Sequence, residues 1–213
     1  MKRSRSRTPR PTRRGSSSVR ERSLRAAEKI FAQRGYGLAS MRDVAAAAGI
    51  QAASLYHHWR SKNALYRDVV ERANAKLRTI VSDALGHDEP LPDQVRRVVG
   101  DVFTFLLNHP DLARLNLRTA LGDGLPVRTP AHLDGSRWLG LMEGFLPPLV
   151  ARGTVKQVDL TRFLISASAV LSAHAVAYHD RRNPFRRVLA GPAMAADTTR
   201  HVTDVILRIL GLE

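Results

Sequence analysis

Apolar positions along this 213-residue chain recur mostly at intervals of three and four, the period of an amphipathic helix. Strict alternation of useful length is absent. Leu24, Ala27, Ile30 and Phe31 share one helical face and predict a first helix over Val19 to Arg34, ended by Gly35 and Gly37. Val44, Ala45 and Ala48 mark a short helix from Arg42 to Ala48. Ser40 stands ahead of it as an N-cap, and Gly49 follows at the C′ position, where glycine takes the left-handed conformation without steric cost. Ile50 then turns back toward the core. A second short helix spans Gln51 to His58, with Leu55 and Trp59 one turn apart on its inward side. Ser61 caps a longer helix that runs to about Leu85 and carries Leu65, Val69, Ala73, Leu77, Ile80 and Val81 on one stripe.

A polar break with two prolines, Gly86 to Pro92, places a domain boundary there. Amphipathic helices follow over Asp93 to Asn108 and, beyond His109-Pro110, over Asp111 to Leu121. A loop from Gly122 through Pro130 leads to a helix over Leu133 to Arg152, interrupted by Pro147-Pro148. Val158 to His179 is long and apolar, Arg181 to Pro192 is a basic loop, and Thr199 to Leu212 closes the chain. The expectation is an all-α fold of about nine helices without repeats. It divides into a basic arm (1–18), an N-terminal domain with its linking helix (19–85) and a C-terminal regulatory and dimerisation domain (86–213).

Charge changes this picture. Lys and Arg number 34 against 19 Asp and Glu, and the net charge of +15 favours a polyanionic partner or a membrane surface. Lys2, Arg3, Arg5, Arg7, Arg10, Arg13, Arg14 and Arg20 crowd into the first twenty residues, which hold no acidic side chain. Such a segment is expected to be disordered in isolation: either an arm that follows DNA or a solvated tail, if not a misassigned start. No apolar run approaches the length of a membrane span, and no hydrophobic segment follows the basic opening, so a cytoplasmic protein without a membrane partner is expected. The absence of cysteine excludes disulfides, thiolate catalysis and Cys-ligated zinc. No P-loop, nucleotide-binding glycine motif, HExxH or GxSxG is present, so neither an enzyme nor a cofactor is expected. His174 and His179 do not share a helix face, which argues against a metal site and leaves His174 as an interface or pocket histidine.

Two short helices joined by a glycine-containing turn form a helix-turn-helix, whose second helix enters the DNA major groove. The run from Ile30 to Tyr66 resembles the N-terminal domain of the TetR family of transcriptional repressors. Phe31, Gly35, Tyr36, Ser40, Met41, Ile50, Leu55, Tyr56, His57, Ser61, Lys62 and Leu65 all fall at the family's spacing. The resemblance reaches back to about Val19 and forward into the following helix, about a quarter of the chain.

On this reading Gln51, Ala52, Ala53 and Ser54 form the end of the recognition helix that points to base edges. Gln pairs with adenine, Ser bonds either kind of base and Ala meets a thymine methyl. Family members often carry Lys-Gly at the positions of Ala52 and Ala53, so this chain departs from the pattern there. The resemblance makes Tyr56 and His57 phosphate or base contacts and extends less firmly to His58; otherwise Tyr56 is a core ring with its hydroxyl at the surface. Ser40, Met41 and Arg42 at the start of the preceding helix are expected DNA contacts, Arg42 to a phosphate or a base, and Lys62 at a helix N-terminus reads as a phosphate clamp; otherwise these are a plain cap and solvated charges. Tyr56→Ala and Lys62→Ala are then expected to weaken all DNA binding, and Gln51→Ala to relax operator preference.

The resemblance also implies a homodimer and a small-molecule effector. Phe163, Leu164, Ala167, Val170, Leu171, Val202, Val205, Ile206 and Ile209 are the expected interface, unless the same stripe packs within one subunit. Phe103, Leu107, Leu117, Trp138, Met142, Phe145, Ser168 and His174 are the expected lining of a pocket for an apolar or aromatic ligand. The function so implied is a repressor of a double-stranded DNA operator, released by that ligand. A ligand-independent regulator or activator of the same fold and a non-specific architectural DNA-binder are the rivals.

Overall fold

The computed structural model describes residues 13–85, 89–121, 135–180, 182, 184 and 192–212, with the side chains of 13–18, 120, 135–141 and 192–194 left aside. Among these residues every regular element is a helix, as the periodicity implies, joined by short turns and loops. In chain order the helices are α1 (Arg13–Leu38), α2 (Met41–Ala48), α3 (Ala52–His58), α4 (Lys62–Leu85) and α5 (Leu91–Asn108). They continue with α6 (Pro110–Ala120), α7 (Gly135–Ala151), α8 (Leu160–His179) and α9 (Pro192–Leu210).

Two clusters of buried side chains hold these helices together. The first gathers Ala27 and Phe31 of α1, Val44 of α2, Leu55 of α3 and Leu65 and Tyr66 of α4. Phe31 and Tyr66 meet edge to face at 4.9 Å between centroids, and Tyr36 closes on Tyr66 at 5.0 Å. Leu115 of α6 belongs to this same cluster. The second gathers α4 beyond Leu77 with α5, α7, α8 and α9, through Val99, Phe103, Leu106, Met142, Leu171, Val202 and Ile206.

Four expectations shift. The first helix begins at Arg13 rather than Val19, because no proline stands between Pro11 and the end of the helix. Helix α7 runs through Pro147 and Pro148 instead of breaking there. The last helix opens at Pro192, a residue assigned to a loop; proline is favoured at a first helical position because its missing N–H would have no partner there. Finally, α8 is long and apolar enough, by length and composition, to cross a membrane, with a mean hydropathy of 1.4 over its best window. It packs against α5, α6, α7 and α9.

Candidate nucleic-acid interface and the cavity behind it

Gly35 breaks α1 with φ 74° and ψ 170°, and Gly49 ends α2 in the left-handed region at φ 66° and ψ 38°. Between these breaks, Ser40 and Asp43 form a complete capping box. The Asp43 N–H donates to Ser40 Oγ at 3.1 Å, and the Ser40 N–H donates to Asp43 Oδ2 at 3.0 Å. The Ser40 hydroxyl also donates to Asp43 Oδ2 at 2.6 Å, and Arg34 pairs with Asp43 Oδ1 at 2.9 Å. The hydroxyl bond, with Arg34 beside it, holds the Asp43 carboxyl below its ordinary value of 3.8.

The sign follows from linkage. A carboxyl whose pKa is lowered by folding adds stability above its unfolded pKa and loses it as pH falls through the folded one. An Asp43 carboxyl resonance is therefore expected to titrate below 3.8 in the folded protein and to return toward 3.8 in Ser40→Ala, as followed by carbon NMR.

Helix α3 has seven residues and one buried member, Leu55. Trp59, at its C-cap, is also buried, and its indole N–H donates to Asp68 Oδ2 at 2.8 Å. Arg20 reaches the same oxygen at 2.7 Å and lies 5.3 Å from the Trp59 ring. Asp68 thus joins α1, the end of α3 and α4.

The opposite side of the pair faces outward. Arg42, Gln51, Ala53, Tyr56 and His57 are exposed, and Ala52, Ser54 and His58 are half-buried. Tyr56 is 50% exposed, so the alternative of a core ring fails. Gln51 is the N-cap of α3 yet makes no side-chain capping bond. Its amide is not committed to the helix it precedes.

Two members of the sequence-derived set take other roles. Met41 is 5% exposed and packs in the first cluster, because it is the first helical residue on the inward side of α2. Lys62 turns away from the outer surface. Its ammonium donates to the carbonyls of Tyr36 at 2.8 Å, Ala39 at 3.0 Å and Gly37 at 3.4 Å, and stands 4.3 Å from the Tyr36 ring. An ammonium has three N–H donors, and three carbonyls occupy them. This lysine pins the α1–α2 turn.

Behind the helix pair lies a cavity of about 360 Å³ bounded by α4, α5, α6, α7, α8 and α9. Its walls are mostly aliphatic; Asn74, Asn116, Thr119, Thr161 and Ser168 supply polar atoms. Met142, Phe145 and Ser168 line it as expected. Phe103 instead fills the second cluster, and neither Leu107 nor Leu117 reaches the cavity. His174 is turned onto its own helix, its Nδ1 bonded to the Val170 carbonyl at 2.8 Å, and sits 5.9 Å from His201. The Trp138 side chain lies outside the described residues. The expected lining includes no residue of α4 and, on α6, names Leu117 instead of the face that borders the cavity. Leu112, Leu115, Asn116 and Thr119 share one face of α6, and an amide on that face was the available signal.

The expected dimer stripe divides. Leu171, Val202 and Ile206 are buried within the chain and cannot meet a partner, because the crossing of α8 and α9 with α5 covers them. Phe163, Leu164, Ala167, Val170, Val205 and Ile209 are half-buried, and Ile165, not foreseen, is 55% exposed. Among the described residues no group of His, Asp or Glu is placed to hold a metal ion.

Residues 24–76 match the sequence profile described as bacterial regulatory proteins, tetR family. The chain is 24% identical over 203 residues to the HTH-type transcriptional repressor NicS of Pseudomonas putida, covering 89% of this chain and 91% of that one. Its fold is that of a TetR family transcription regulator from Marinobacter aquaeolei, with a TM-score of 0.69 at 18% identity over 91% of this chain and 97% of the other. It is also that of the regulator FadR from Bacillus subtilis, solved in complex with stearoyl-CoA, with a TM-score of 0.66 at 14% identity over 89% and 98% of the two chains.

Proposed function

We propose that this DNA-binding regulator, built on the TetR-family N-terminal domain, is a homodimeric repressor that leaves its operator when a small apolar ligand fills the cavity. The observation that carries the DNA reading is the division of α2 and α3 into two faces. Val44, Ala45, Leu55 and Trp59 anchor them, while Arg42, Gln51, Tyr56 and His57 stand clear on the outside. Of these, Gln51 reads a base edge, and Arg42, Tyr56 and His57 hold the backbone.

A single such pair reads a half-site, and a two-fold dimer reads two. Helix α8 supports the dimer: it is apolar, yet only 17% of its most apolar stretch is buried within the chain. Ile165, with Ala169 and Ala173 following on the same side of α8, offers a face for a second copy. The ligand reading rests on the aliphatic cavity, whose size lies within the range of about 300–1,000 Å³ typical of small-molecule sites. Stearoyl-CoA bound by the Bacillus regulator supports a ligand with a long apolar part.

Binding of variants to an operator and to unrelated DNA tests the placement of α3. Gln51→Ala is expected to cost about 1–3 kcal/mol on the operator and little on unrelated DNA. Tyr56→Ala should weaken both alike. Unchanged operator affinity in both variants would remove α3 from the groove.

A further inference from the structure

Helix α6 touches both halves of the molecule. Leu112, Leu115, Asn116 and Thr119 line the cavity, and Asn116 donates to the buried Ser172 hydroxyl of α8 at 2.7 Å. On the same short helix Arg118 points to α1. Its Nε donates to the Ala32 carbonyl at 3.0 Å and a terminal nitrogen to the Gln33 carbonyl at 3.4 Å. These carbonyls sit just before the break at Gly35, where a helix leaves its last C=O groups without intrahelical partners. The next residue, Arg34, pairs with Asp43, and Asp43 completes the N-cap of α2 with Ser40. Bonded groups therefore run without interruption from the cavity wall through α6 and the end of α1 to the first turn of the helix pair.

We propose that Arg118 is a positioning residue for DNA release: it couples the cavity wall to α2 by holding the end of α1. This rests on the ligand-release reading above. Displacement of α6 by a molecule in the cavity draws the guanidinium off Ala32 and Gln33, and the end of α1 moves with the Arg34–Asp43–Ser40 cap it carries. A second link from α6 runs to α4, where the Tyr66 hydroxyl lies 3.3 Å from that of Thr119. The two routes are separable by mutation.

The test uses full-length protein and a duplex that the protein itself selects from random-sequence DNA. Ser168→Leu, on the α8 wall of the cavity, stands in for an occupant, and Arg118→Met keeps the side-chain stem while removing its donors. Ser168→Leu is expected to lower affinity about tenfold in the native and Tyr66→Phe backgrounds, and less than about twofold in the Arg118→Met background. Equal factors in all three backgrounds, including no effect in any, overturn the proposal. So does loss of the effect in Tyr66→Phe alone, which assigns the coupling to α4.

If no duplex is preferred, the regulator reading fails separately, and amide hydrogen exchange decides for Arg118. Arg118→Met is expected to speed exchange at Asp43 and Val44 about tenfold and to leave Leu207 of α9 unchanged. Unaltered exchange in α2 overturns the coupling. Should Arg118→Met not fold, Arg118→Lys, which retains a single cationic donor group, is expected to give the same changes at smaller size.

Discussion

Replacing Leu55 by alanine is expected to lower the unfolding free energy by about 2–5 kcal/mol, the usual cost of emptying a fully buried leucine site. At the size of this chain that is roughly 5–15 °C in Tm, read by thermal melting. The functional loss should be larger than the stability loss implies. Leu55 is 0% exposed and is the single buried residue of α3, a helix of two turns. A helix so short does not persist in water by itself and depends on packing for its place. Without Leu55, the recognition helix keeps the capping residue Trp59 with its bond to Asp68 and the partly buried Ala52 as its anchors. Specific DNA binding should therefore fall by about a hundredfold or more even at temperatures where the rest remains folded. A variant that melts lower yet binds its operator as the native protein does would show that α3 is held by something else.

Lys62→Met is the second. It leaves the aliphatic stem in place and removes the charged donor from three carbonyls of the α1–α2 turn. Hydrogen bonds from charged groups contribute about 1.5–3 kcal/mol, so a loss of that order is expected in chemical denaturation. This separates two roles for the same residue. A phosphate clamp would lose DNA affinity with melting unchanged and would flatten the salt dependence of binding. A turn staple loses stability first, and its effect on DNA follows from the displaced Ser40 and Arg42. Arg60→Ala, on an exposed neighbour, is the control and should shift stability by no more than about 0.5 kcal/mol.

The comparison of Lys62 with Ser40 shows what the chain's own pattern reveals. Ser40 and Gly49 act within a few residues of where they stand, so their spacing states their role. Leu55 and Trp59 were legible for the same reason, since helical period alone places them on one side. Lys62 reaches back to residues 36, 37 and 39, and no local pattern marks that reach. Arg118 acts on Ala32, 86 positions earlier, which only the packing of α6 on α1 can reveal. Met41 was misplaced because a family position near DNA was carried onto a side chain that the helix turns inward.

The C-terminal half was harder for a related reason. The apolar stripes of α8 and α9 announce burial without naming what covers them. Leu171, Val202 and Ile206 find their partners within the chain, whereas Ile165 does not. The cavity shows the same ambiguity. Among large apolar side chains, Phe103 fills the core while Met142 and Phe145 line the cavity, so size alone does not separate them; Ala73, Asn74 and Asn116 line it too. Small and polar residues on otherwise apolar faces are the more informative sign of a hollow.

The measurement that tests the central claim most directly is binding of the full-length chain to the DNA flanking its own gene, against shuffled DNA of equal composition. Salt should be near 150 mM, where a net charge of +15 no longer secures tight binding to any duplex. A preference of roughly a thousandfold or more is the expected result for a sequence-specific regulator reading two half-sites. Equal and steeply salt-dependent affinity for both duplexes would contradict it and leave a non-specific, charge-driven DNA-binder.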